Sequence, residues 1–352
     1  MTKNKRTLTD ISEIGEFSLI DRLTSGFKNR NKKTIMGIGD DAAIIDTGEQ
    51  YTIITKDLLS EGVHFDITYS PLKHLGYKAV TSNLSDIYAM NGTPTHIFAG
   101  IAVSSRFSLE ALQEIYKGIE LACEKYNVDL GGGDTVSSKA GLFISVTAMG
   151  SVAPEMVTYR SGAKEHDLIC VSGNLGGAYA GLLILEREKQ VFKANPDMQP
   201  SLKDYSYVLE RQLKPEARKD IVELLKEKNI KPSSMIDVSD GLASEIMHIC
   251  KNSDCGASIY EEKFPLDKMT ADVAHEFKID PSTFALNGGE DYELLFTISQ
   301  NDYEKIKDQQ EISIIGHITD KSSGAKLITV SGNEVELRAQ GWDAFKKEEN
   351  ED

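Results

Sequence analysis

PLKHLGYKAVTSNLSDIYAM, residues 71–90, is the stretch from which the rest of the chain is interpreted. Its apolar spacing predicts a long helix with Pro71 near the start, where a missing amide hydrogen is tolerated. Asp86 falls inside the apolar face of this helix, and a buried carboxylate must be paired, protonated or bound to a metal. Asp86 is therefore a candidate metal ligand, with a cap or a salt bridge as the structural alternative. The apolar face holds Leu72, Leu75, Gly76, Ala79, Asn83, Ile87 and Met90, and the opposite face holds His74, Lys78, Thr81 and Ser85.

Other acidic residues stand beside glycine or serine in short phrases on both sides of this helix. The phrases are GIGDDAA (37–43), TKDLLSEGVHFD (55–66), GGGDT (131–135), IDVSDGL (236–242) and GGEDYELLF (288–296). One such phrase would be ordinary turn sequence, because Asp and Gly dominate turns. Their recurrence through both halves indicates a carboxylate-rich site. Mg²⁺ takes a few carboxylates and leaves its other positions to water and substrate phosphates, so the pattern favours phosphoryl transfer.

The composition is that of a folded globular protein. The chain has 352 residues, of which 40% are hydrophobic, and its 39 Lys+Arg against 55 Asp+Glu give a net charge of −16. This length predicts about two domains of ~100–200 residues each. An acidic surface repels phosphates, so we expect neither nucleic acid nor a membrane as partner. The N-terminus lacks an apolar signal segment and no apolar run is long enough to span a bilayer, which predicts a soluble cytoplasmic protein with free cysteines.

Periodicity predicts mixed α and β structure throughout. The expected helices cover residues 16–24, 71–90, 109–123, 215–228 and 242–250, and the expected strands cover 51–55, 97–103, 142–152, 235–238 and 292–298. A βα unit is expected over 168–185, and Ser108 is expected to cap the third helix. The loop around 154–164 divides the chain into domains 1–153 and 154–352.

Several signatures of well-known enzyme classes are missing. The chain has no GxxxxGK[ST] loop, no HRD and DFG pair, and no HExxH or CxxC pattern, which excludes P-loop proteins, protein kinases and common zinc sites. SGNLGGAYAG (172–181) follows a predicted strand and opens a helix. This loop has two interpretations: a phosphate cradle, or small residues that allow close packing.

Taken in order, GDDAA, EGVHF, NLSDIYAM, GGDT, RSGA, DVSDGL and GGEDYEL resemble the motifs of the thiamine-monophosphate kinase family. That family shares a superfamily with aminoimidazole-ribonucleotide synthetase and selenophosphate synthetase, and the resemblance runs from residue 15 to 345. It implies a two-domain PurM-like α/β (α+β) fold. The N-terminal domain would bind ATP and Mg²⁺, and its sheet would form a barrel across a homodimer, while the C-terminal α/β domain would close over nucleotide and substrate.

The implied reaction is ATP-dependent phosphorylation of thiamine monophosphate to thiamine diphosphate, the last step in making that cofactor, with several Mg²⁺ ions. The implied metal ligands are Asp41, Thr55, Lys56, Asp57, Asp86, Asp134, Asp237 and Asp240, with Asp40 as a further candidate. The implied ATP contacts are Tyr116, Gly133, Asp134, Arg160 and Ser239. The implied thiamine-phosphate contacts are His64, Glu290 and Trp342.

Lys56 departs from the family pattern, which often has Ser or Thr there. An ammonium cannot bind Mg²⁺, although the backbone carbonyl could, so the number of metal ions stays open. Some of the other assignments also have structural alternatives. His64 and Tyr116 could be core residues, Glu290 could cap a turn, Trp342 could anchor the C-terminal segment by packing, and Arg160 could be a solvated loop charge.

The expected mechanism has no general base. The acceptor is a phosphate monoester with a second pKa near ~6, so it is already a nucleophilic dianion at neutral pH. Direct in-line transfer without a phosphoenzyme follows. The rival interpretations are a related ATP-dependent ligase, a selenophosphate synthetase, whose chemistry commonly uses an N-terminal reactive cysteine that this chain lacks, and a non-catalytic nucleotide-binding dimer.

Overall fold

A computed structural model describes residues 16–340, with side chains from residue 18 onward. Two sheets divide the chain, one in each half. The N-terminal half contains α1 (Glu16–Thr24), β1 (Thr34–Met36), β2 (Ala43–Asp46), β3 (Tyr51–Ser60), α2 (Leu72–Ala89), β4 (Thr93–Val103), α3 (Leu109–Tyr126), β5 (Asp129–Ser137) and β6 (Phe143–Val152). Its strands lie in the order β1-β2-β3-β6-β4-β5, and the sheet is open.

The C-terminal half alternates helices and strands. It contains β7 (Leu168–Ser172), α4 (Gly177–Ala194), α5 (Ser206–Leu213), α6 (Lys219–Glu227), β8 (Ser234–Asp237), α7 (Leu242–Ser253), β9 (Gly256–Tyr260), α8 (Lys268–Glu276), α9 (Pro281–Asn287), β10 (Leu294–Ile298), α10 (Tyr303–Ile306), β11 (Ile312–Thr319), β12 (Ala325–Ile328) and β13 (Glu334–Glu336). The second sheet has the order β13-β12-β9-β11-β7-β10-β8. The predicted mixed α/β fold with two sheets is confirmed.

The predicted long helix is α2, which follows Pro71 at its N-cap. Its apolar face packs on β3, β4 and β6 of the first sheet, and α3 crosses it closely. A Cβ atom at Gly76 would come within 1.9 Å of the Ile115 carbonyl oxygen, and one at Gly118 within 1.9 Å of the Lys73 carbonyl oxygen. Glycine at both positions therefore sets the approach of the two helices. The predicted Ser108 cap is also present, since its side chain accepts a hydrogen bond from the Ala111 amide.

The face of α2 expected to be polar is not a solvent face. Lys78, Thr81 and Ser85 are all buried, because β8 and α5 of the C-terminal half pack on this side of the helix. One hydrophobic cluster runs from the first sheet through α2 and α3 to α6, β8 and β10. The helix is consequently buried on both faces and lies between the two halves.

GGGDT was expected to form a turn, and this expectation is wrong. Residues 131–135 lie within β5, which pairs in parallel with β4 after the α3 crossover. Strand β5 is the edge of the first sheet, where the weak strand propensity of glycine is tolerated. In the part of the chain that the structure describes, every helix is too short or too polar to cross a bilayer.

Candidate active site

Three carboxylates from separate elements meet between the two halves. Asp41 lies in the loop before β2, Asp86 lies in the last turns of α2, and Asp237 ends β8. Their carboxylate oxygens lie within 4.8 Å of one another. We call these three residues the acidic cluster. The place of Asp86 on the apolar face of its helix is explained by its neighbours: Asp86 accepts a hydrogen bond from Thr55 of β3 and lies close to Asp41 and Asp237.

Hydroxyl groups hold the acids of the cluster in place. Thr55 Oγ1 donates to Asp86 Oδ2 over 2.6 Å, and Ser85 Oγ donates to Asp237 Oδ2 over 2.7 Å. Asp57 is two residues beyond Thr55, so the period of the strand puts both on the same face of β3. Thr55 and Asp57 therefore lie on the face of β3 that is turned toward Asp86.

Lys56 points away from the acids. Its side chain is on the opposite face of β3, where Nζ donates to Ser145 Oγ over 2.7 Å. The ammonium cannot serve as a ligand, and because it points to the opposite face it does not compete with a cation for the acids either.

The electrostatics of the cluster are unfavourable without protons or cations. Burial, followed by the charges of Asp57, Asp237 and Asp41, raises the pKa of Asp86 well above its usual value. Burial and then the charge of Asp41 raise the pKa of Asp237 to about 7. Burial raises the pKa of Asp57 to about 6. Asp41 Oδ2 is buried and has no hydrogen-bond partner among the described residues. An all-oxygen site of this kind suits a hard divalent cation.

Arg160 contacts the edge of the cluster. Its guanidinium donates to Asp41 Oδ1 from Nε over 3.1 Å and from Nη2 over 2.6 Å. Its backbone amide donates to both oxygens of Asp40, and burial with the charge of Asp41 raises the pKa of Asp40 to about 7. Ser253 Oγ accepts from the amides of Gly162 and Ala163, which fixes the loop that carries Arg160. Arg160 is thus no solvated loop charge.

Ser239 and Asp240 form the loop between Asp237 and α7. The Asp240 amide donates to Glu245 Oε1 over 3.0 Å, and Glu245 is buried in the first turn of that helix. Burial and the charge of Asp240 raise the pKa of Glu245 well above its usual value. Sequence reasoning missed Glu245. An acid in the first turn of a helix directly after DVSDG was the signal available.

Glu290 lies in the loop before β10 with a left-handed backbone, at φ +65°. Lys78 from α2 pairs with its Oε1 over 2.7 Å, and Gln212 from α5 donates to its Oε2 over 2.9 Å. Tyr292, two residues on, is also left-handed, at φ +52°. Burial, followed by the charges of Glu290, Asp57 and Asp237, raises the pKa of Tyr292 well above its usual value. Lys78, Gln212 and Tyr292 were all missed: Lys78 and Gln212 lie outside the quoted motifs, and Tyr292 lies inside GGEDYEL but was not singled out.

The remaining predicted residues lie outside this group. His64 is exposed in the turn after β3, where its Nδ1 accepts from the Ser60 amide, so it is no core residue. Tyr116 is 38% exposed on α3, which rejects the core alternative. Gly133 and Asp134 lie in the exposed edge strand β5. Trp342 lies outside the described residues.

The sheet register separates Asp134 from Asp57. Asp134, Gly100, Ser145 and Leu58 form one row of register partners across the sheet. Asp57 lies in the next row. Adjacent rows point to opposite faces of a sheet. Asp134 therefore shares the outer face of the first sheet with Lys56, away from α2 and the acidic cluster.

The SGNLGGAYAG loop is used internally. The carboxylate of Asp291 accepts from the amides of Gly176 over 2.5 Å and Ala178 over 3.2 Å, and it is fully buried beside Arg211. These amides at the start of α4 are the ones a phosphate would need. The phosphate-cradle interpretation is therefore wrong, and close packing with an internal cap replaces it.

Comparison with known proteins places this architecture. Residues 39–152 match the family model of the AIR synthase related protein N-terminal domain, and residues 164–328 match that of the C-terminal domain. The fold and the interdomain acids thus define a two-domain AIR synthase related protein.

Comparison with individual similar proteins identifies the family within this larger group. The thiamine-monophosphate kinase of Buchnera aphidicola subsp. Schizaphis graminum is 38% identical over 95% of this chain and 99% of its own length. The thiamine-monophosphate kinase of Bacillus subtilis is 33% identical over 94% of this chain and 99% of its own. The solved structure of AaThiL complexed with AMPPCP and TMP is 28% identical, with a TM-score of 0.82, and covers 96% of this chain and 99% of that one. The chain belongs to the thiamine-monophosphate kinase family.

Proposed function

We propose that this protein transfers the γ-phosphate of ATP to thiamine monophosphate and forms thiamine diphosphate. The observation that carries the proposal is the convergence of Asp41, Asp86 and Asp237 in a chain of this family. Support also comes from AaThiL, a relative whose solved structure is complexed with AMPPCP and TMP.

Mg²⁺ fits the residues of the site. The ligand atoms are carboxylate and hydroxyl oxygens, one buried oxygen of Asp41 lacks a partner among residues 18–340, and the close acids need positive charge. Asp41, Asp57, Asp86 and Asp237 would hold the ions, with Asp40, Thr55 and Asp240 beside them. When bound, the ions supply charge neutralisation for the donor and acceptor phosphates. At ~4 Å and an effective dielectric constant of ~20, each unit-charge pair of phosphates repels by about 4 kcal/mol.

The chain contributes positioning instead of a general base. Arg160, whose guanidinium pairs with Asp41 at the edge of the acidic cluster, would bind a phosphate there. Ser239 would contact the ATP phosphates, and Tyr116 and Gly133 the nucleotide. His64, Glu290 and Trp342 would bind the acceptor. Because the acceptor phosphate is already a nucleophile near neutral pH, transfer is direct and in line, without a phosphoenzyme.

The outer face of the first sheet is the proposed dimer interface. Leu58, Phe98 and Val136 are exposed on it by 55%, 37% and 51%, and β5 leaves one edge unpaired among the described strands. A second copy that covers this face would complete a barrel, and it would also bury Asp134. The domain boundary is placed between residues 153 and 154.

A steady-state assay tests the function. The protein is supplied with ATP, Mg²⁺ and either thiamine monophosphate or free thiamine, and thiamine diphosphate is measured by chromatography. Product from the monophosphate alone is expected. Product from free thiamine, or ATP hydrolysis without thiamine diphosphate, would overturn the proposal. A trapped phosphoenzyme would overturn the direct transfer.

A further inference from the structure

A polar triad of Lys78, Gln212 and Glu290 lies where α2, α5 and the loop before β10 meet. Lys78 Nζ lies 2.7 Å from Glu290 Oε1 and donates to the main-chain oxygen of Gln212 over 3.3 Å. Gln212 Nε2 donates to Glu290 Oε2 over 2.9 Å. Lys78 and Gln212 are buried, at 3% and 6% exposure. Both oxygens of Glu290 thus act as acceptors, one for a buried ammonium and one for a buried amide.

This arrangement fixes the orientation of the Gln212 amide. Because the Glu290 carboxylate can only accept, the amide must turn its NH₂ group toward Glu290. Gln212 Oε1 then points elsewhere, and this buried atom has no hydrogen-bond partner within residues 18–340. An unsatisfied buried acceptor costs about 1–3 kcal/mol, so its retention needs an explanation.

Neither Gln212 nor Glu290 can easily move to another position. The closely packed backbone of α4 lies against Gln212, since a Cβ atom at Gly181 would come within 2.9 Å of Gln212 Cβ and 2.1 Å of the Val208 carbonyl oxygen. Glu290 has the left-handed backbone described above and is held at both oxygens. The two acceptors are therefore preorganised for a donor.

We propose that Gln212 is a specificity residue for the acceptor, whose Oε1 accepts an N–H from the aminopyrimidine ring of thiamine monophosphate. Glu290, held by Lys78, accepts from the same end of the ring. This inference rests on the proposed function. It identifies the ligand by chemistry: Gln212 Oε1 is an unused acceptor among the described residues and needs a donor. An analogue with an oxo group in place of the exocyclic amine presents an oxygen where the site needs a hydrogen, and is rejected.

The test compares thiamine monophosphate with the 4-oxo analogue, oxythiamine monophosphate, in the wild type and in Gln212→Met, which keeps volume and removes the amide. For the wild type, we expect kcat/KM to favour the amino substrate by at least ~10-fold, since sites that hydrogen-bond a substrate donor reject analogues lacking it. Gln212→Met should raise KM for thiamine monophosphate by about 10-fold, bring the ratio toward one, and leave KM for ATP within about twofold.

A control variant and the wild-type assay distinguish failure of the proposed function from failure of the specificity role of Gln212. Gln113→Met, at an exposed position of α3, should match the wild type. If the wild type forms no thiamine diphosphate, the proposed function fails. Suppose that the wild type forms thiamine diphosphate but Gln212→Met keeps the wild-type ratio, or raises KM equally for thiamine monophosphate, its 4-oxo analogue and ATP. The specificity role then fails, and Gln212 is a packing residue. Should Gln212→Met fold poorly, Gln212→Glu replaces it: this carboxylate should repel Glu290 and raise KM for the amino substrate, and an unchanged KM contradicts the proposal.

Discussion

Ser85 Oγ donates a hydrogen bond to Asp237 Oδ2 over 2.7 Å, across 152 positions of sequence. The bond joins α2 in the first half to β8 in the second, and it ends on one acid of the cluster. The relative position of the two halves and the position of that carboxylate are thus fixed by the same contact.

Ser85→Ala should weaken both the contact between the two halves and the placement of the Asp237 carboxylate. The change leaves a fully buried carboxylate oxygen short of a donor, and we expect a loss of about 1–2 kcal/mol in the free energy of unfolding together with a lower kcat. Urea denaturation and steady-state kinetics measure the two effects. Ser82→Ala is the matched control, because the side chain of buried Ser82 bonds, within the described part of the chain, only to the Ala79 carbonyl of its own helix. Equal losses in the two variants would contradict the interdomain role.

Asp86→Asn should separate activity from stability. The asparagine amide can still accept from Thr55, whereas the substitution removes one of three crowded carboxylates. We expect kcat to fall by about 100-fold or more, because electrostatic positioning dominates phosphoryl transfer. The melting temperature without Mg²⁺ should hold or rise. Asp129→Asn, at an exposed position of β5, serves as the control. Unchanged kinetics at saturating Mg²⁺ would remove Asp86 from the site.

Stability should depend on pH in a direction set by the buried acids. Burial raises the pKa of Asp40 and Asp237 to about 7 and of Asp57 to about 6, from an ordinary 3.8. Between about pH 4 and pH 7, the folded state therefore binds more protons than the unfolded state, and its stability falls as pH rises. Burial lowers the pKa of His248 to about 4 and also lowers the pKa of His74, and these two groups oppose the trend. The acids outnumber the histidines, because burial also raises the pKa of Asp41, Asp86, Asp291 and Glu245.

The check is a series of thermal melts from pH 5 to pH 8 with a chelator and with Mg²⁺. With the chelator, the melting temperature should decrease toward pH 8. Mg²⁺ should raise it more at pH 8 than at pH 5, because only ionised carboxylates bind the ion. A melting temperature that climbs steadily toward pH 8 with the chelator would mean that these acids are not protonated in the fold.

The sequence predicted those parts of the molecule that depend on local periodicity. The α2 pattern identified the helix, and the misplaced Asp86 identified the site, because a carboxylate on an apolar stripe is costly wherever the helix packs. The contact partners of Lys78 and Ser85 could not be predicted, because both partners lie in the other half of the chain and local periodicity does not indicate them. GGGDT was misjudged because a parallel edge strand depends on its neighbour β4, whereas Asp and Gly signal a turn locally.

Lys56→Thr tests the one departure from the family motif. The Lys56 side chain bonds Ser145 on the face opposite Thr55 and Asp57, so we expect the Mg²⁺ dependence and kcat to stay within about twofold. Thr55→Val is the comparison on the site face and should reduce kcat by about 10-fold or more, because Asp86 loses its donor. A shift in Mg²⁺ stoichiometry for Lys56→Thr, measured by titration calorimetry, would show that the family pattern needs a hydroxyl at this position.

Asp291→Asn should be strongly destabilising. Asp291 closes the first turn of α4 and lies 3.6 Å from half-buried Arg211, so the neutral amide leaves that cation with Glu293 as its one remaining acidic partner among the described residues. A loss of roughly 3 kcal/mol is expected by chemical denaturation. Asp267→Asn is the control: Asp267 also caps a helix, through the Met269 amide, and asparagine caps equally well. Similar small losses in both would reduce Asp291 to an ordinary cap.

That cap also constrains how the nascent polypeptide matures. Asp291 is translated 115 positions after Gly176, so the ribosome releases the start of α4 long before the group that completes it exists. Until then the exposed amides of that turn face water or a chaperone. A polypeptide stalled or cleaved before residue 291 lacks the carboxylate that caps this helix.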